Sequence, residues 1–212
     1  MDILQTLILW VHIIAGYMAL LFGTSVMIMR KGNSKHVRAG TVFFYCMVCV
    51  GISSVVLSLM IDSQFLLHIG IFAFFLSFGG WRSSRDRSLR PGILDILNLI
   101  AGLINGIVML WTGHIILMVF GGISSLLVLQ DLHLYYLLII KKVKAGNRWL
   151  ARHIGMMTGA YISAFTAFLI VNIQFEGPAW ILWLTPTFVF VPLMQYWTYR
   201  YTKGTRSFKD AK

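Results

Sequence analysis

The chain has 212 residues, of which 58% are hydrophobic and only 12% charged, with a formal net charge of +11 and a mean hydropathy of +0.78. A soluble domain carries about 25% charged residues. Half that charge, together with apolar runs of about 20 residues, excludes a water-soluble globular protein and predicts an all-α, polytopic membrane helix bundle.

Seven spans are expected in chain order: 3–29, 39–61, 65–81, 93–111, 115–140, 153–173 and 180–199. The first run is too long for a signal-peptide core and ends in a basic loop with no small-residue cleavage site, so it reads as a membrane helix. The third is the shortest, about 17 residues, close to the minimum for a membrane crossing. Pro91-Gly92 precedes the fourth and Gly177-Pro178 the seventh, as breakers should. The connections are too short for a second domain, so residues 1–212 form one transmembrane unit, with 202–212 a basic cytoplasmic tail.

The charges predict the orientation. All 18 Lys and Arg follow spans one, three, five and seven, whereas the opposite side holds Asp2, Asp62 and Glu176 and no basic residue. The positive-inside rule then puts the N-terminus outside and the C-terminus in the cytoplasm. The basic loops suit anionic lipid headgroups, and no nucleic-acid partner is needed to explain them. No span contains an internal Lys, so a retinal Schiff base has no anchor. Cys46 and Cys49 lie inside span two and read as small apolar side chains rather than a redox pair.

Polar residues inside spans face the bundle more often than lipid. His12, Gly16, Ala19 and Gly23 share one face of span one, where a close helix contact around Gly16 is expected. Asp95, Asn98, Gly102 and Asn105 share a face of span four. Gly121, Ser124, Val128 and Asp131 share a face of span five, and Gly155, Gly159, Ser163 and Thr166 a face of span six. Asp131 lies roughly 13 Å along its helix from the basic end, so it is expected to have a hydrogen-bonding or charged partner. His133 points away from it, and His114 sits in a short outer turn. His68 lies about a turn into span three and fits either a contact or a ligand.

His36 and His153 each open a span at the basic side, with Arg38 and Arg152 beside them. One reading has them meet headgroups or helix ends. The other has them converge with Asp131 as a site for zinc or another transition metal, or face each other as axial ligands of haem. Helix N-termini favour the neutral imidazole that such binding needs. His12 is about 25 Å from that side, so it belongs to a different site, with His68 its partner if a second haem is present near the other face.

The segments WVHIIAG, KHVRAG, VLQDL and RHIGMMTGAYISAFTAF, spread in this order over most of the chain, resemble a family of bacterial multi-pass membrane proteins defined only as domain of unknown function 2306. His12, His36, Asp131 and His153 fall on its hallmark positions. The departure is at Gly155-Met156-Met157, where the family pattern calls for an Arg. The resemblance implies about seven helices in a bacterial inner membrane and no established reaction.

Several classes fail by motif. Span seven lacks the H-x-x-x-H of seven-helix metal hydrolases, and the chain has no G-x-S-x-G, H-E-x-x-H or phosphate-binding loop. An inverted-repeat transporter needs two similar halves, which seven spans do not supply. Two expectations remain: a non-catalytic carrier, sensor or partner subunit whose His and Asp are structural contacts, and a metal- or haem-binding protein that uses His36, His153 and Asp131.

Overall fold

The computed structural model describes residues 2–207 and consists of helices joined by short loops. They are α1 (Ile3–Ile28), α2 (Ser34–Met60), α3 (Gln64–Arg85), α4 (Ile93–Trp111), α5 (Ile115–Tyr135), α6 (Arg148–Asn172) and α7 (Ala179–Ser207), with a π-helical turn, Tyr136–Ile140, continuing α5. Among the described residues, seven helices are long and apolar enough to cross a membrane, and the chain is accordingly a multi-pass membrane protein. Short loops force successive helices antiparallel, so α1, α3, α5 and α7 all end on one side. That side carries the basic loops and is called the basic end below.

The helices begin and end further out than the apolar runs suggest. α2 starts at Ser34 because Asn33 caps it, its Oδ1 accepting the His36 backbone N–H at 2.8 Å. α6 starts at Arg148, five residues before His153. The span expected to be shortest is a 22-residue helix. It runs past Trp81 because Arg82 and Ser83 stay helical and face inward to polar partners. Of the expected tail, residues up to Ser207 continue α7, and 208–212 lie outside the described residues.

α3 is the centre of the bundle. It packs against α2, α4, α5 and α6, and half of its apolar window is buried. Phe72, Phe75 and Leu76 from α3 meet Met47, Leu99, Phe120 and Met156 in the core. The outer surface is apolar, as a lipid-facing surface must be. Leu21, Ile104, Trp111 and Phe188 are all more than half exposed. At the basic end Lys31 closes α1, its Nζ donating to the Val26 and Met27 carbonyls, and lies 4.5 Å from the Trp197 ring centroid of α7. Burial pushes the Lys31 ammonium below its ordinary pKa.

Glycines decide how closely the helices approach. A Cβ on Gly121 of α5 would lie 2.8 Å from the Gly106 carbonyl oxygen and 3.1 Å from the Leu110 nitrogen of α4, so these helices touch backbone to backbone. Ser124 Oγ completes the contact by donating to the Gly102 carbonyl at 3.0 Å. The expectation for Gly16 is corrected: a Cβ there meets nothing within 4 Å, because the close approach of α1 comes at Gly23, against Tyr161 and Phe43. Gly159 does sit at a contact, 3.3 Å from Leu76. Gly16→Leu is therefore expected to leave the unfolding free energy in detergent within about 0.5 kcal/mol of the parent. Gly159→Leu should lower it clearly by overpacking. Equal losses in both variants would contradict these contacts.

Candidate functional site: a buried charge cluster at the basic end

Four helices meet at the basic end around two arginine–aspartate pairs. The local reason is the sequence FGGWRSS at the end of α3. A Cβ on Gly80 would lie 2.9 Å from the Met157 backbone nitrogen, so glycine there lets α6 lie this close, whereas at Gly79 the neighbour is the movable end of the Met156 side chain. That approach brings Arg152 and His153 to the Gly79 and Gly80 carbonyls of α3.

Arg152 is held on every side. Its Nε and Nη2 donate to the two carboxylate oxygens of Asp131 on α5, each at 2.6 Å. Its Nη1 donates to the Gly79 carbonyl and to Ser83 Oγ. The Ser83 hydroxyl donates in turn to the Gly79 carbonyl at 2.8 Å. The side chains of Arg152 and Asp131 are only 10% and 5% exposed. Two opposite charges at this depth must be paired, and the bidentate fork satisfies both at once. The expectation that Asp131 needs a partner is met by Arg152.

The second pair is Arg82 of α3 with Asp95 of α4. Arg82 Nε and Nη2 reach the two Asp95 oxygens at 2.9 Å each. Asp95 also accepts the Gly92 backbone N–H at 2.9 Å, which closes the first turn of α4. Asp86 stands 3.9 Å from Arg82 at the rim. Between the pairs lies a cavity of about 10 Å³ lined by residues that include Arg82, Arg90, Asp95, Tyr135 and Arg152. That is room for about one water. Tyr135 lines this cavity beside Arg82, Asp95 and Arg152. Leu89, buried in the α3–α4 loop, holds a left-handed backbone with φ 56°. A β-carbon residue rarely adopts that conformation.

The histidines sit as follows. His153 Nδ1 donates to the Gly80 carbonyl at 2.9 Å. His36 lies within electrostatic range of His153, and its Nδ1 is buried with no hydrogen-bond partner. Both thus stand at the basic end. Asp131 does not join them, because Arg152 occupies both of its oxygens. Among the described residues no three His, Cys, Asp or Glu side chains form a group able to hold a metal. Of the expected three-ligand set of His36, Asp131 and His153, the carboxylate has the cationic side chain of Arg152 as its partner.

His12 and His68 belong to two different helix contacts. His12 Nδ1 pairs with Ser53 Oγ of α2 at 2.9 Å. The Ser53 proton is directed to the Cys49 carbonyl, so the imidazole is the donor. His68, buried in α3, donates from Nδ1 to Asn105 Oδ1 of α4 at 2.7 Å, and Asn105 Nδ2 returns a bond to the His68 carbonyl at 3.0 Å. Among the described residues no hydrogen bond or ring contact joins His12 to His68. His133 is exposed, turned away from the buried Asp131. His114 is exposed and packs edge-on against Phe65.

The arginines are what sequence reasoning missed. Arg82 and Arg152 read as ordinary basic flanks, yet each turns inward to an aspartate. The available signal was arithmetic: two carboxylates, Asp95 and Asp131, lie within apolar spans and each needs a cation. No family model, curated protein or solved structure matches the chain.

Proposed function

We propose that this chain is a non-catalytic membrane protein, a carrier, sensor or partner subunit, whose buried polar side chains fasten its helices to one another. The observation that carries this reading is that Asp95, Asp131, His12, His68 and His153 each already have a protein partner. A ligand set would instead leave several of these groups converging on an empty point. The proposal includes an N-terminus outside and a cytoplasmic C-terminus in a bacterial inner membrane, and membership of the uncharacterised family whose motifs the chain resembles. A C-terminal reporter fusion is expected to signal from the cytoplasm. A periplasmic signal would overturn the orientation.

One observation favours a second reading, a haem between His36 and His153. The Nδ1–H bond of His153 to Gly80 leaves its Nε2 lone pair free, and His36 Nδ1 lacks a partner. Metal-ligating histidines are oriented in this way. An absorbance spectrum and elemental analysis of protein purified from membranes separate the two. The structural reading expects no Soret band and substoichiometric zinc, iron and copper. A Soret band that disappears in His153→Gln would select haem instead.

A further inference from the structure

Away from the charge cluster, α1 and α6 part to leave a groove of about 410 Å³. Its α1 wall runs from Tyr17 to Ile28, and its α6 wall is formed by Tyr161, Phe165 and Phe168. At 1.5 Å per residue the α1 wall is about 16 Å long. The hydrocarbon core of a bilayer is about 30 Å thick, so one leaflet contributes about 15 Å. The groove therefore has the length of one leaflet's acyl region, and it ends at Ile28, at the basic end.

The lining is mostly apolar; Ser25 Oγ donates to the Leu21 carbonyl of its own helix at 2.8 Å, and the Thr24 and Tyr161 hydroxyls satisfy each other. Thr24 Oγ1 and Tyr161 Oη lie 2.8 Å apart. No polar group of an occupant is called for at that depth, which fits a hydrocarbon chain rather than a head group. Leu21 and Ile28 are 60% and 81% exposed, so the groove opens sideways, into the lipid.

The charge at its mouth selects the head group. Arg30 and Lys35 are exposed just beyond Ile28. The buried acids at this end, Asp95 and Asp131, are neutralised by Arg82 and Arg152. Among the described residues the mouth is thus cationic, at the depth where lipid phosphates lie.

We propose that the α1–α6 groove binds one anionic glycerophospholipid from the leaflet at the basic end, with an acyl chain along Tyr17–Ile28 and its phosphate at Arg30. The site is separate from the ion-pair cluster and does not depend on whether the histidines hold anything.

The test uses the full chain purified in mild detergent, stripped of lipid and offered phosphatidylglycerol or phosphatidylcholine, with bound lipid counted by native mass spectrometry. One phosphatidylglycerol per chain is expected, preferred about tenfold over phosphatidylcholine, equivalent to about 1.4 kcal/mol. Leu21→Trp fills the groove from a lipid-exposed position and should reduce retained phosphatidylglycerol about tenfold. Arg30→Gln, in an exposed loop where folding is not at risk, should remove the preference for phosphatidylglycerol while leaving phosphatidylcholine unchanged. Equal binding of the two lipids by the parent chain would overturn the proposal. So would an unaltered preference in Arg30→Gln, or a dimer that dissociates in Leu21→Trp and shows the groove to be covered by a second copy.

Discussion

Asp131→Ala is expected to destabilise the folded bundle by about 3–5 kcal/mol, the usual cost of leaving a buried charge without its partner. The stranded group is Arg152. It is 10% exposed, and the carbonyl of Gly79 and the hydroxyl of Ser83 can accept from it but cannot neutralise it. Asp131→Asn keeps an acceptor and should fall between alanine and the parent. Asp95→Ala should cost less, because the Arg82 side chain is 25% exposed and can rehydrate. The measurement is folded fraction against denaturant in detergent. Equal losses at Asp95 and Asp131 would show that burial does not set the scale.

Gly121→Leu is expected to prevent α4 and α5 from docking. A bare Cβ at this position already falls within 2.8 Å of a carbonyl oxygen and of Met109 Cβ, and helix backbones cannot yield as a flexible side chain can. Gly121→Ala should therefore cost about 1–3 kcal/mol by overpacking, and leucine should abolish the monodisperse species on gel filtration. The Ser124 bond to Gly102 would be lost with it. Gly122, where a Cβ meets nothing within 4 Å, is the control next door, and Gly122→Ala should behave as the parent. A monodisperse, fully stable Gly121→Leu would contradict the close α4–α5 contact.

The positions of the helices were legible because hydropathy reports burial in lipid directly. α4 follows its apolar run from Ile93 to Trp111 to the residue. The polar faces were legible too, since a 3.6-residue period aligns Asp95, Asn98, Gly102 and Asn105, and all four are buried. Helix ends were harder. Ser34 and Arg148 open their helices with polar turns that hydropathy assigns to loops. Partner choice was not legible at all. Asp131 and Arg152 stand 21 positions apart, and their meeting depends on how α5 and α6 both pack on α3, α6 doing so at Gly79 and Gly80. A single sequence carries the need for a partner but not its identity. The partners of the histidines were not legible for a related reason. An imidazole in a span suits a ligand or a helix contact equally by its chemistry, and the bonds to Ser53, Asn105 and the Gly80 carbonyl depend on which helices adjoin. Gly16 misled because a small residue permits a close contact without requiring one.

The central claim is that the buried charges of this bundle serve each other. A double-mutant cycle on Asp131→Leu and Arg152→Met tests it most directly, because the two apolar replacements have similar volume and remove both charges together. Each single variant is expected to be strongly destabilised, and the double variant to recover much of the loss, giving a coupling of about 2 kcal/mol or more. A coupling below about 0.5 kcal/mol, with both single variants close to the parent, would contradict the account.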